Sequence, residues 1–424
     1  MSERLKGLVV VLLSASVCVL ASELFLRVFF PQSTYNRLLA SSPRMFRESD
    51  LFPYEMIPSY KGKLIREEFE TTITLNSMEY RSREFNVDKR GRFRVLVVGD
   101  SFTFGWGVED NETYPARIEK ILANEHHRND VEVINASFAA ASPDIYYLLI
   151  KERGLQLKPD LILIGFFVGN DIVDRREFVQ SEWTKTDREG LPLQIKSLDS
   201  EVENGRWVKK QERRQRIYRL PILRNSHLFH LLVSSGRGLK RLLKSESERL
   251  LETFNPYIYD ATYSERTQAA VQRTQTLFRA MAKLAASQKV PLAVIMVPAR
   301  EQVHAEQLPR EVRRSRDLDK PQRVFGAFFD AEHIPYLDLL PGLRAKAQGN
   351  EFYFRYDLHW NAKGHEVGAK IVANYLLAYD FFRGAHDRHF RTTFSHEVSG
   401  PAWAWAESEE CIEAHPDDAP ALFS

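Results

Sequence analysis

A chain of 424 residues, 44% hydrophobic and 27% charged, is an ordinary globular mixture, long enough for a sizeable core and longer than one α/β domain needs. Its net charge of +2, with both signs scattered throughout, gives no ground for nucleic-acid binding or for an acidic substrate. The 2 cysteines, Cys18 in an apolar run and Cys411 in the polar tail, argue against an intramolecular bridge and leave the redox compartment open.

Arg4 and Lys6 precede an apolar run from Leu8 to Ala21, and Glu23 and Arg27, four apart on a helix, can pair and let the segment continue to Phe30. This pattern predicts an uncleaved anchor over residues 1–31. It would make the chain single-pass in the cytoplasmic (inner) membrane, with its body periplasmic or extracellular. The alternatives are a signal peptide cut after Val19-Leu20-Ala21 and a buried core helix. Residues 32–60 read as a juxtamembrane stalk, and Lys63 to Leu75 alternates as a strand or hairpin would, so 32–92 form a stalk and β-rich lead-in.

From Phe93 onward, apolar runs alternate with helical stretches. Strands are expected at Phe93–Val98, Val131–Asn135, Leu161–Phe167, Leu292–Val297 and Tyr336–Leu339. Helices are expected at Tyr114–Asn124, Ile145–Gln156, Tyr263–Ser287, Arg323–Glu332 and Ala362–Leu377. Short, nearly continuous apolar strands between helices indicate an α/β fold with a parallel sheet covered on both faces, its functional residues on loops at the strands' C-terminal ends. Residues 93–380 are thus expected as one domain, with an insertion at 175–260 between the third and fourth strands. Within it, Leu191–Leu198 and Glu201–Val208 read as a hairpin turning near Asn204-Gly205, and Ser226–Leu243 as a helix. Loops this long are often lids or binding elements. The basic run Lys209–Arg219 reads as a solvated helix face, the alternative being contact with anionic lipid headgroups or an acidic glycan. Residues 381–424 form a polar tail without a catalytic pattern.

Gly99-Asp100-Ser101-Phe102 ends the first expected strand. The glycine allows a sharp turn, and the stretch from Thr103 reads as a loop entering a helix, which sets the Ser101 hydroxyl near a helix N-terminus where unpaired N–H groups favour negative charge. A serine nucleophile also needs a base, an orienter for that base and donors for an oxyanion. Asp357-Leu358-His359-Trp360-Asn361, after the last strand, supplies the first two: His359 to accept the Ser101 proton, Asp357 to hold the imidazole tautomer. Alternatively Asp357 caps the final helix or His359 packs on Trp360, with His365 as a rival base. Asn170, in Gly169-Asn170-Asp171 after the third strand, offers an amide donor; a plain turn is the alternative. Asn135 to Ala140, after the second strand, offers a backbone N–H or is a simple connection. A zinc set of Asp357, His359 and His365 is a further alternative. Gly105-Trp106-Gly107 lacks the third glycine and the Lys-Ser/Thr of a phosphate loop. Neither an organic cofactor nor a metal is expected.

These segments, in this order and each at a strand end, resemble the SGNH/GDSL hydrolase superfamily, named for Ser, Gly, Asn and His in four blocks. The resemblance covers residues 93–175 and 290–378, with an approach from about 60. It implies a three-layer, flavodoxin-like fold with a central parallel five-stranded sheet. It also implies a catalytic set of Ser101, Asp357 and His359, and an oxyanion hole from the Ser101 and Ala140 N–H groups and Asn170. Two departures stand out. The glycine of the second block falls on Ala140, whose N–H serves there only with a negative φ or some accepted strain. The usual Asp-x-x-His is shortened to Asp-x-His-Trp, a form similar to that of membrane-anchored SGNH proteins, alginate O-acetylation proteins among them. The resemblance therefore implies serine-dependent hydrolysis or transfer of an O-acyl group, acetyl above all, on a bacterial envelope or extracellular polysaccharide. Its substrate would be an acylated glycan or other ester, and its protein partners are left undefined. The alternatives are a glycan-binding or scaffold protein that kept the fold without turnover, suggested by Ala140, and a short-chain lipase or carboxylesterase.

Overall fold

A computed structural model describes residues 2–32, 43–66, 68–172, 182–197, 200–209, 220–233, 235, 256–355, 357–379 and 381–382. The chain divides into two compact units, one of residues 85–172, 272–307 and 317–424, the other of residues 1–84, 173–271 and 308–316.

The first unit is built on five strands: β1 (Phe93–Gly99), β2 (Val131–Asn135), β3 (Leu161–Phe167), β4 (Leu292–Val297) and β5 (Tyr336–Asp338). Each pairs parallel with its neighbours in the order β2-β1-β3-β4-β5. This is the flavodoxin-like order, whose reversal between β1 and β3 opens a crevice at the strands' C-terminal ends. Because side chains alternate along a strand, one residue set faces each helical layer. Val95, Val97, Leu163 and Ile295 share a core with Ile118 and Leu122 of the helix Tyr114–His126 and with Val372 and Leu376 of the helix Ala362–Ala378. On the opposite face Phe166 packs against Phe278 and Phe325, ring centroids 5.0 and 4.8 Å apart, from the helices Glu265–Ser287 and Lys320–Ala331. The expected strand boundaries hold to within one residue. The expected helix Ile145–Gln156 differs: an α-helix over Pro143–Leu149 passes into a π-helical turn, Ile150–Gly154, and a 3-10 turn, Leu155–Leu157. The wider turn presents Gly154 to Leu96, where any side chain would collide with the leucine.

One buried ion pair crosses this sheet. Arg94 and Glu132 are register partners on β1 and β2, with side chains 0% and 4% exposed. The guanidinium also donates to the carbonyls of Asn86, Val87 and Leu157, so the charge is fully hydrogen-bonded.

The second unit uses local pairing. Lys61–Ile65 pairs antiparallel with Glu70–Thr74, as the alternation of Lys63 to Leu75 suggests. Phe46–Arg47 pairs with Glu55–Met56 in the stretch read as a stalk, where Met45, Phe52 and Met56 are buried. Tyr54 stacks edge-on between Phe46 and Trp207, and the Ile195 N–H donates to the Leu51 carbonyl at 2.8 Å. Among its described residues the insertion carries two hairpins where one was expected. Asn204 and Gly205, both at positive φ, close a two-residue loop. Such a loop pairs only its immediate flanks, so Ser200–Glu203 meets Arg206–Lys209 and the run at Pro192–Ser197 pairs upstream with Glu182–Thr186.

The apolar run forms the helix Glu3–Phe29, 27 residues with a mean hydropathy of 2.4 in its most apolar window, long and apolar enough to cross a membrane. Glu23 and Arg27 pair on it at 2.8 Å. Residues 227–233 of the expected helix Ser226–Leu243 are helical. The remainder of that helix beyond residue 235, the basic stretch 210–219 and the tail from 383 lie outside the described residues.

Candidate active site

Gly99 faces Gly165 across the β1–β3 ladder, and a side chain on Gly99 would collide with Thr103 and with the Gly165 carbonyl. The glycine is therefore needed for room; its φ is not positive. Ser101 opens a single helical turn, Ser101–Phe104, separate from the long helix that starts at Tyr114, where a continuous loop had been expected. Asp100 caps this turn, its carboxylate accepting the Phe102 N–H at 2.9 Å.

The Ser101 Oγ lies 2.7 Å from Nε2 of His359, a residue 258 positions away in sequence, and the other ring nitrogen bonds Asp357 Oδ1. Asp357 and His359 are separated by Leu358 alone, which adopts a left-handed φ of 68°. That turn folds the two flanking side chains onto each other, which is how the shortened spacing makes the contact. The loop is held by the Phe354 N–H on the His359 carbonyl at 2.8 Å and the Asn361 N–H on the Phe352 carbonyl at 2.9 Å. Phe102 and Trp106 flank the imidazole, ring centroids 5.0 and 6.3 Å away. Asn361, rather than Asp357, caps the final helix, its side chain accepting the Gly364 N–H at 3.0 Å. His365 is buried, and its Nδ1 accepts the Tyr114 N–H at 3.2 Å, so it neither rivals His359 as base nor joins it around a metal.

Asn170 is exposed and its Nδ2 donates to Asp100 Oδ2 at 3.3 Å, leaving the second hydrogen of that amide to point elsewhere. The loop carrying Ala140 is stapled to β1 by the Ala136 N–H on the Val97 carbonyl (2.9 Å) and the Phe138 N–H on the Gly99 carbonyl (3.3 Å). Asn135 ties the same loop to the nucleophile turn, donating to the Thr103 carbonyl at 2.8 Å. Ala140 takes a φ of 58°, the left-handed conformation that a glycine adopts freely, at a cost of about 1–2 kcal/mol for a residue with a Cβ. Ser101, His359 and Asp357 thus touch directly, Asn170 joins them through Asp100, and Ala140 lies on the adjoining loop.

A second layer was missed from the sequence. Asp171 is buried, accepts the Tyr146 hydroxyl at 3.1 Å and the Phe167 N–H at 3.0 Å, and its own carbonyl accepts Thr274 Oγ1 at 3.1 Å. Burial, reinforced by the charge of Asp100, pushes the Asp171 carboxyl well above the ordinary range. Burial also pushes Asp100 up to about 6, against the opposing pull of His359, the Phe102 N–H and Asn170. The charge of Asp100 adds to burial in disfavouring the Asp171 carboxylate, and the Asn170 loop hangs on the contacts that Asp171 makes with Tyr146, Phe167 and Thr274. The signal was present in Gly-Asp-Ser and Gly-Asn-Asp, where each acid adjoins a residue chosen for chemistry.

The family model for the SGNH hydrolase-like domain of the acetyltransferase AlgX matches residues 257–406, a stretch with Asp357 and His359 but not Ser101, Ala140 or Asn170. A protein described as "Probable alginate O-acetylase AlgJ", from Pseudomonas fluorescens, is 30% identical over 187 residues, 42% of this chain and 44% of that protein. The alginate biosynthesis protein AlgX of Pseudomonas putida is 31% identical over 133 residues, 30% of this chain and 27% of that protein. The matches span less than half the length of either curated relative. Among solved structures, a member of the lipolytic protein G-D-S-L family from Veillonella parvula DSM 2008 is 11% identical with a TM-score of 0.35, over 69% of this chain and 100% of that one.

Proposed function

We propose that this SGNH-superfamily chain, similar to polysaccharide O-acetylation proteins, hydrolyses or transfers an O-acetyl ester on an envelope or extracellular polysaccharide through an acyl-enzyme on Ser101. The observation that carries this reading is the 2.7 Å approach of His359 Nε2 to Ser101 Oγ, with Asp357 on the opposite ring nitrogen. Ser101 Oγ attacks the acyl carbonyl while its proton passes to Nε2. Asp357 keeps the Nδ1–H tautomer in place and stabilises the imidazolium. The oxyanion takes hydrogen bonds from the Ser101 and Ala140 N–H groups and the Asn170 amide, donors that act strongly because they are fixed before charge develops. Nε2 then returns the proton to the departing sugar oxygen. Water or a second sugar hydroxyl attacks the acyl-serine, and which of the two wins separates hydrolase from transferase.

The left-handed backbone of Ala140 favours this reading over a glycan-binding protein without turnover, because the conformation that a glycine would give is kept despite the added methyl group. The helix Glu3–Phe29 would hold the chain in the cytoplasmic membrane with the site on the far side. A fluorophosphonate probe should label Ser101 in the purified protein and fail to label His359→Ala, whose serine has lost its base. Equal labelling of both proteins, or none of the folded wild type, would remove the serine mechanism. Acetate release from an acetylated glycan, measured with and without an unacetylated acceptor, then assigns hydrolysis or transfer.

A further inference from the structure

We infer that residues 220–233 are a second membrane contact, an interfacial segment seated in an anionic bilayer beside the end of the apolar helix. The inference rests on that helix being retained as an anchor and is independent of the chemistry at Ser101.

The depth of the segment follows from covalent geometry. About 20 residues of helix cross a hydrocarbon core, and a count from Leu8 reaches Arg27, which sets Glu23 and Arg27 at its edge. A carboxylate there is tolerated only when paired and hydrogen-bonded. Glu23 is both. It takes the Arg27 guanidinium at 2.8 Å, the Ser226 hydroxyl at 2.8 Å and the N–H groups of His227 and Leu228 at 2.8 and 2.9 Å. It therefore caps, from another helix, the helical stretch beginning at residue 227. A second clamp joins the same places, the Gln32 N–H donating to His227 Nδ1 at 2.8 Å. Residues 226–228 are held at the level of Glu23 and nowhere else.

What flanks that clamp is apolar and uncovered. Leu220 is 56% exposed, Ile222 83% and Leu232 64%, and on the anchor Phe25, Phe29 and Phe30 are exposed as well. Such side chains at the edge of the hydrocarbon are the pattern of interfacial helices, whose apolar side chains enter the acyl-chain boundary. The choice of an anionic surface comes from charge. The sequence leading into Leu220, Lys209 to Arg219, carries six Lys or Arg and one Glu, and basic residues beside a membrane segment are drawn to acidic headgroups.

The test uses the full chain, with Cys18→Ser and Cys411→Ser, an environment-sensitive NBD dye on Ile222→Cys, and liposomes of phosphatidylcholine with or without phosphatidylglycerol. Blue-shifted emission and quenching by lipids carrying a doxyl group near the headgroup are expected. Both should be comparable to those of the same dye on Phe29→Cys and greater with phosphatidylglycerol. Glu23→Leu should abolish quenching at position 222 while preserving it at 29, and Glu23→Gln, which keeps an acceptor for the two N–H groups, should retain both. Water-like emission at 222 beside a quenched 29 would overturn the inference and give the apolar side chains to a protein partner. So would a mature chain lacking residues 1–21, or quenching at 222 that Glu23→Leu leaves unchanged. Fluorophosphonate labelling on the same liposomes reads the Ser101 chemistry separately.

Discussion

The sheet unit and the hairpin unit handle charge in opposite ways. In the first, Arg94 and Glu132 face each other across adjacent parallel strands, both buried, and three carbonyls take the remaining guanidinium hydrogens. In the second, Arg47 bridges Glu55 and Glu79 between short hairpin segments while its side chain stays 45% exposed. Parallel strands receive their partners from distant sequence, so a buried, directional pair can fix which strands meet and in what register. Hairpins pair with what is next to them and need no such device. The acids at the sheet's crevice are buried as well, Asp100 taking the Phe102 N–H and the Asn170 amide and Asp171 taking the Tyr146 hydroxyl and the Phe167 N–H.

Three measurements would break or sharpen this contrast. The largest effect is expected from Arg94→Met, which strands Glu132 without its partner and should cost about 3–5 kcal/mol in urea unfolding. A loss comparable to that of a surface pair would refute the distinction, and adding Glu132→Leu should recover most of the deficit. Next comes Asp100. Its folded-state carboxyl near 6 exceeds the value of about 4 expected when unfolded, so the native state binds the proton more tightly. Stability should be full below about pH 4 and decline as pH rises to about 6, by something on the order of 2 kcal/mol. Asp100→Asn should flatten that decline, and an unchanged slope in pH-dependent unfolding would reassign it. The smallest effect belongs to Lys63→Met in the hairpin unit, under about 1 kcal/mol, because Lys63 and its partner Glu70 are 64% and 52% exposed and water screens the pair.

The five strands and the approach of Ser101, Asp357 and His359 were legible because buried strands are written as uninterrupted apolar runs and because strand ends gather in one crevice. What escaped depended on backbone angles or on burial of polar groups, neither of which hydropathy records. Nothing in Asp357-Leu358-His359 announces that leucine takes a left-handed conformation, since that choice is imposed by the contacts on either side. The hairpin was misread because Asn204-Gly205 signals a turn but not which apolar runs it joins; the two-residue loop decides that. Asp171 looked like turn chemistry until Tyr146 and Phe167 were found on its carboxylate.

The 258 residues between the hydroxyl and the imidazole have a consequence for biosynthesis. On the proposed mechanism, a nascent or truncated chain ending before position 357 possesses its serine and all five sheet strands, yet nothing to receive the proton. On that mechanism the serine is therefore inert while the chain is being made. It becomes competent only once the penultimate loop has emerged and docked, a timing safeguard written into connectivity rather than into any inhibitory segment.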